Sequence, residues 1–150
     1  MSVRSSRGFT LIELLLVIGI IAILASIVIV AINPTKQLGD ARDAQRRSDV
    51  NTVLNAVYQW AIDNNGTLPG NITTTPMEIC RASTLPALCL ADNGVNLRML
   101  TGTYLVGIPA DPQAPATSTG TSYSIVRDAN GRITVRAWRV EQATSISVTR

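Results

Sequence analysis

The sequence predicts an α+β protein: a long amino-terminal hydrophobic helix continuing into a small globular head that ends in an antiparallel β-sheet. Three observations carry that expectation. Residues 9–32 are almost entirely Leu, Ile, Val and Ala; apolar residues recur at helical spacing from Val50 to Ala61; and beyond Ser122 apolar and polar residues alternate around an Ala-Asn-Gly turn. At 150 residues the chain has room for one small soluble core once a membrane span is subtracted.

The apolar run from Phe9 to Ile32 is interrupted only by Thr10, Glu13, Gly19 and Ser26. As a helix rising ~1.5 Å per residue it reaches roughly 36 Å, enough to cross a bilayer core. A cleaved secretory signal ending near Ala25 is one reading, but the run continues through "SIVIVAI", beyond the usual length of such a region. A plain membrane anchor is a second, with Arg4 and Arg7 holding the short tail in the cytoplasm. It explains everything except Glu13, since a carboxylate inside lipid costs a few kcal/mol, ~2.5–3.5 at the helix centre and less near the interface. Gly19, Ala22 and Ser26 form a strip of small residues away from Glu13, where another helix can approach.

Asn33, Pro34 and Gly39 interrupt the pattern after the apolar run; Asn33 can cap and Pro34 can occupy a first turn, so a kink or restart is expected. In "DARDAQRRSDV" acidic and basic residues alternate at helical spacing, Asp43 with Arg46 and Arg47 and Arg46 with Asp49, which reads as a solvated surface. Val50, Val53, Leu54, Val57 and Ala61 then define one apolar face, and Asn64, Asn65 and Gly66 supply a stop. From Thr67 to Ser122 the composition shifts to Thr, Pro, Gly and Ser and reads as turns and loops, with a short helix in "ADNGVNLRMLTGTYLVG". Strands follow in "SYSIVRD" and "RITVRAWRVE", with Ile133, Val135 and Ala137 on one side and Thr134, Arg136 and Trp138 on the other; "TSISV" adds another strand.

Chemistry is sparse. The absence of histidine removes the commonest general base and metal ligand, and no nucleophile motif, phosphate loop or usefully spaced acid pair replaces it, so no enzyme and no cofactor are expected. Cys80 and Cys89 are too few for a thiolate zinc site; in an exported domain they pair, and in a reducing compartment they are two small hydrophobes. Net charge is +3 including Arg4 and Arg7, so charge argues little for nucleic acid; Arg132 and Arg136 beside Trp138 leave DNA as a minor alternative partner. The Asn65 and Asn71 sequons are short patterns that arise by chance.

"GFTLIELLLVIGIIAILA" closely resembles the processing and assembly signal of type IV pilins and pseudopilins, with Gly, Phe, Thr, Leu and Glu in register. In that family a basic leader is cut after a glycine by a dedicated membrane peptidase, and the new terminal residue is N-methylated. Carried over, the resemblance implies Gly8 as the last leader residue, Phe9 as the methylated terminus and Glu13 as the assembly glutamate. Its ammonium partner would be Phe9 of a neighbouring copy. The implied divisions are a leader at 1–8, a membrane and filament-core helix at 9–32, an amphipathic continuation at 33–65 and an α+β head at 66–150. "IPADPQ" and the final hairpin also look like the proline-aspartate loop and closing hairpin of major pseudopilins. Some of those proteins bind calcium there, but only Asp111 and Asp128 offer themselves here, and no metal is expected.

The family's helix-breaking proline usually comes a few residues earlier, where this chain has Val30, and the disulfide bracket at the carboxy terminus is missing. The stretch from Asn33 to Gly39 is the part expected to stretch or melt on assembly. The resemblance implies a structural subunit of a type IV pilus-like filament, with identical subunits, a prepilin peptidase and the assembly machinery as partners. The subunit would be held in the cell membrane by a single span with its amino terminus in the cytoplasm, then move to a periplasmic or extracellular filament. A major pseudopilin of a type II-like secretion system and a monomeric membrane-anchored surface protein are the alternatives.

Overall fold

The computed structural model describes residues 8–150; residues 1–7, Arg4 and Arg7 among them, lie outside the described residues. Two compact units divide the chain at Leu38 and Gly39.

In the first unit, α1 spans Leu11–Ile32 and begins at a capping box: Thr10 accepts from the Glu13 backbone N–H, and the Glu13 side chain answers at the Thr10 backbone. It ends where Asn33 turns left-handed at φ 43°, a conformation Asn tolerates better than branched residues do. No α1 residue is buried, and the helix is long and apolar enough to cross a membrane. The next helix, α2 (Pro34–Asp63), restarts at once with proline in its first turn. Asn33 Oδ1 supports it by accepting from the Lys36 N–H at 3.4 Å and from the Thr35 hydroxyl at 2.8 Å.

From Gly39 onward α2 belongs to the second unit. It stops in a left-handed turn at Asn65 and Gly66, whose N–H returns to the Ala61 carbonyl at 2.7 Å. After it come β1 (Met77–Cys80), α3 (Pro86–Ala91), β2 (Gly94–Val95), a single 3-10 turn at Arg98–Leu100, β3 (Gly120–Arg127), β4 (Ile133–Ala137) and β5 (Ile146–Thr149). The sheet runs β2-β1-β3-β4-β5; β1 and β2 are parallel and the other neighbours antiparallel. In the hairpin Tyr123 faces Ala137 and Ile125 faces Val135. Their inward side chains close on Val50, Val53, Leu54 and Val57 of α2, all fully buried. Each such Val or Leu contributes roughly 1.5–3 kcal/mol on burial, so the α2 face and the sheet hold each other in place.

Two expectations need correction. The region from Thr67 to Ser122 is not only turns and loops: β1, α3 and β2 lie within it, and β3 begins at Gly120. These elements are short, and β1 gains its place from β3, more than 40 residues away in sequence, so local pattern alone does not announce it. Gly120 and Ser122 also make a local irregularity. A Cβ on Gly120 would collide with the Glu78 carboxylate, which accepts the Ser122 N–H at 2.8 Å while Ser122 adopts φ 64°. The second correction concerns α2: Asp43, Arg46 and Asp49 are not a solvated surface but are buried.

Candidate functional site

The amino-terminal end of α1 presents an apolar surface carrying one acid. Phe9 is 83% exposed, and Glu13 lies in the first helical turn. The Glu13 carboxylate accepts from the Thr10 backbone N–H and from the Thr10 hydroxyl, both at 2.8 Å, while Thr10 Oγ1 accepts from the Glu13 N–H at 3.3 Å. A negative charge there also meets the positive end of the helix dipole. Both hydrogen bonds reach Oε2, so the carboxylate keeps lone pairs for a cation from another molecule. Gly8 stands free, with nothing within 4 Å of where a Cβ would lie, so packing does not impose glycine there.

The second unit treats charge in the opposite way. Arg46 is fully buried and its guanidinium gathers acids from three segments. Its Nε and Nη2 donate to Asp111 at 2.7 and 3.1 Å, its Nη1 to Asp43 at 2.8 Å and to Glu141 at 2.9 Å, and Nη2 also to Gln113 at 2.8 Å. Hydrogen bonding to Asp111 raises the Arg46 pKa, outweighing burial, and Glu141 and Asp43 add to it. Burial would raise the Asp43 carboxyl, but the backbone N–H groups of Ala143, Gln142 and Glu141, together with Arg46, hold it well below the ordinary carboxylate range. Glu141 is brought down to about 2 by Arg42 first and then Arg46. Arg42 closes the arrangement, donating to both Glu141 oxygens at 2.6 and 2.7 Å.

Asp49 forms a second buried contact one turn on. The Tyr123 hydroxyl donates to it at 2.7 Å and the Gln45 amide also at 2.7 Å. Burial, then the Asp49 contact, pushes the Tyr123 phenol upward, so it stays a hydrogen-bond donor across ordinary pH. One face of α2 thus fixes the loop after Pro109, strand β3 and the segment following β4.

The sequence carried a usable signal for this cluster. Gly39, Asp43, Arg46, Val50, Val53, Val57 and Ala61 follow one another at intervals of three or four, all buried, so the apolar stripe simply continues into charged residues. Reading burial from hydropathy alone hid that continuity.

Other singled-out residues separate. Cys80 and Cys89 are joined in a disulfide with Cα atoms 5.8 Å apart, tying β1 to α3. Asp111 is engaged by Arg46 and Asp128 by Arg132 at 2.7 Å. That contact also corrects the basic strand face: Arg132 sits in the turn before β4, paired, and only Arg136 accompanies Trp138 on the outer face. Among the described residues, no group of three or more His, Cys, Asp or Glu could hold a metal ion.

An exposed apolar helix opening on a glycine-phenylalanine bond and one first-turn glutamate, followed by an α+β head, is the build of a prepilin-type protein. Residues 3–29 match the family described as the prokaryotic N-terminal methylation motif. Over 109 residues the chain is 33% identical to the type II secretion system core protein G of Escherichia coli (strain K12), an alignment covering 71% of this chain and 66% of that protein. The chain thus spans a little under two thirds of that relative's length; its amino terminus carries the prepilin-type methylation motif, and over most of its length it is similar to that secretion-system protein. No solved structure matches it.

Proposed function

We propose that the chain is a structural subunit of a type IV pilus-like filament. It is inserted in the membrane as a prepilin, cleaved after Gly8, methylated on Phe9 and polymerised through its amino-terminal helix. The observation that carries this reading is α1 itself: 22 residues, almost all Leu, Ile, Val and Ala, with none buried. So large an apolar surface needs lipid before assembly and other copies of the helix afterwards. Within such a bundle Glu13 is the only charge on α1, and cleavage liberates an ammonium on Phe9 of each neighbour. Pairing the two removes two uncompensated charges from a low-dielectric interior.

Identical subunits, a prepilin peptidase and assembly machinery are the partners of that process. A second reading, a pseudopilin serving a type II-like secretion system, is favoured by the similarity to core protein G. Under that reading deletion of the gene blocks protein export without removing surface pili.

Mass spectrometry of the native amino terminus tests the proposal. The expected product is a peptide beginning at methylated Phe9; one beginning at Met1 or at Ser26 overturns it. Cross-linking separates the subunit from a monomeric anchor, since a filament subunit yields a ladder and an anchor yields a single band.

A further inference from the structure

We propose that the outer face of β3, β4 and β5 is a binding groove for an acidic saccharide. A depression of about 380 Å³ lies there, lined among others by Ser124, Thr134, Arg136, Trp138, Ser145 and Ser147. Strand register builds it: Arg136 pairs with Ser124, which is buried at the floor, on one side and with the exposed Ser147 on the other, so a cation stands in the middle of a row across three strands. That row is about 10 Å wide at ~4.8 Å between strands, the scale of a disaccharide.

Three features select the ligand. Trp138 is 52% exposed at the end of β4, although a residue of its size is ordinarily well covered, and its indole offers a flat apolar surface to the C–H face of a sugar ring. The exposed Ser145 and Ser147 hydroxyls both donate and accept, which matches the alternating demands of sugar hydroxyls, while Thr134 is engaged by the Thr149 hydroxyl at 2.8 Å. Arg136 is exposed and enters none of the ion pairs among the described residues, so its forked donors are open to a carboxylate. The acid in the same row, Glu78, is turned aside to the Ser122 N–H at 2.8 Å.

Nucleic acid fits this face less well. A strand of phosphates needs a track of cations, whereas the groove holds one, and Arg132 is spent on Asp128 outside it.

The test is calorimetric titration of the full chain, in a sugar-free detergent, with trigalacturonate, its methyl ester and an oligothymidylate. Saturable binding of trigalacturonate is expected, weakened on the order of tenfold by Trp138→Ala and by Arg136→Gln. The methyl ester should bind the wild type weakly and be indifferent to Arg136→Gln. Circular dichroism of both variants checks that the sheet is intact, and Ser147→Val, which leaves aromatic and cation in place, gives a further reading of the same groove. Absence of saturable binding by trigalacturonate, equal binding by all variants, or tighter binding of the oligothymidylate overturns the proposal.

Discussion

Two helices that follow one another in sequence reverse the ordinary rule of burial. Every residue of α1 is exposed although nearly all are Leu, Ile, Val and Ala, whereas α2 buries Asp43, Arg46 and Asp49. In α1 the one charge is hydrogen-bonded within its own first turn, by Thr10, but has no cation opposite it and draws no partner from the head. In α2 the charges have local partners, Asp43 with Arg46 and Asp49 with Gln45, but are completed by segments distant in sequence, Asp111 and Glu141 above all. The difference teaches that hydropathy reports what a surface must avoid, not where it goes. An apolar helix without an internal partner is made for lipid or for other chains, while a charged helix with complete internal partners is part of a core.

Removing the charge of α1 is the sharpest way to break the comparison. Glu13→Ala is expected to leave membrane insertion and cleavage intact, and to reduce filament yield by an order of magnitude or more, as read from the sheared fraction of cells. The unfolding temperature of the head should not move, because the side-chain partners of Glu13 lie in its own first turn. Undiminished filaments, or a destabilised head, would contradict the assignment of that acid to contacts between subunits.

Removing the charge of α2 should do the reverse. Arg46→Met leaves Asp43, Asp111 and Glu141 facing one another without their shared cation. Breaking a buried ion pair from one side costs about 3–5 kcal/mol, and for a head of this size the midpoint of thermal unfolding should fall by roughly 10 °C or more. Calorimetry of the variant checks this; a fall of only a few degrees would mean that water reaches the cluster.

Much of this contrast was legible beforehand, but unevenly. The end of α1 and the start of α2 followed from Asn33 and Pro34, because a cap and a proline act within a single turn. Thr10 read only as an interruption of the apolar run, and its capping box with Glu13 was not foreseen. The hairpin of β3 and β4 followed from strict alternation around a short turn. Asp111 could not be matched to Arg46 in the same way, since the two are 65 residues apart and an isolated loop acid looks the same whether solvated or buried. β1 and β2 escaped for a related reason: four and two residues long, β1 is a strand only because β3 is beside it, and β2 only because β1 is. Local chemistry is written locally, and long-range pairing is not.

Acid should dissect the cluster more gently. Glu141 and Asp43 have ordinary values of 4.5 and 3.8, and both are depressed in the fold, Glu141 to about 2. A depressed carboxyl lends its stability in full above the unfolded value and loses it as pH falls through the folded one. The denaturation midpoint of the head should therefore be flat from neutral pH down to about 4.5 and decline steadily toward about 2. The same titration in Arg46→Met should show a somewhat shallower decline, because one contribution to each depression is gone while Arg42 and the backbone N–H groups of residues 141–143 remain. A midpoint that does not change with pH over that window would separate the ionic contacts from the stability of the head.

The smallest effect tests where the stripe of α2 begins. Gly39 is buried within the helix, and a Cβ placed there would lie 2.9 Å from the Gln142 side-chain nitrogen, too close without a shift. Alanine in place of glycine stabilises a helix interior by about 0.8–1 kcal/mol, but here it must displace a side chain that packs on it. Gln142 is flexible and exposed, so the displacement is cheap and the two terms nearly cancel. Gly39→Ala alone should then change stability by less than about 0.5 kcal/mol, while the same substitution beside Gln142→Ala should recover most of the helical gain. A double-mutant cycle on chemical denaturation reads the difference. If the two changes prove additive, Gly39 is not held by contact with the segment after β4, and the face that joins α2 to the head begins one turn later, at Asp43.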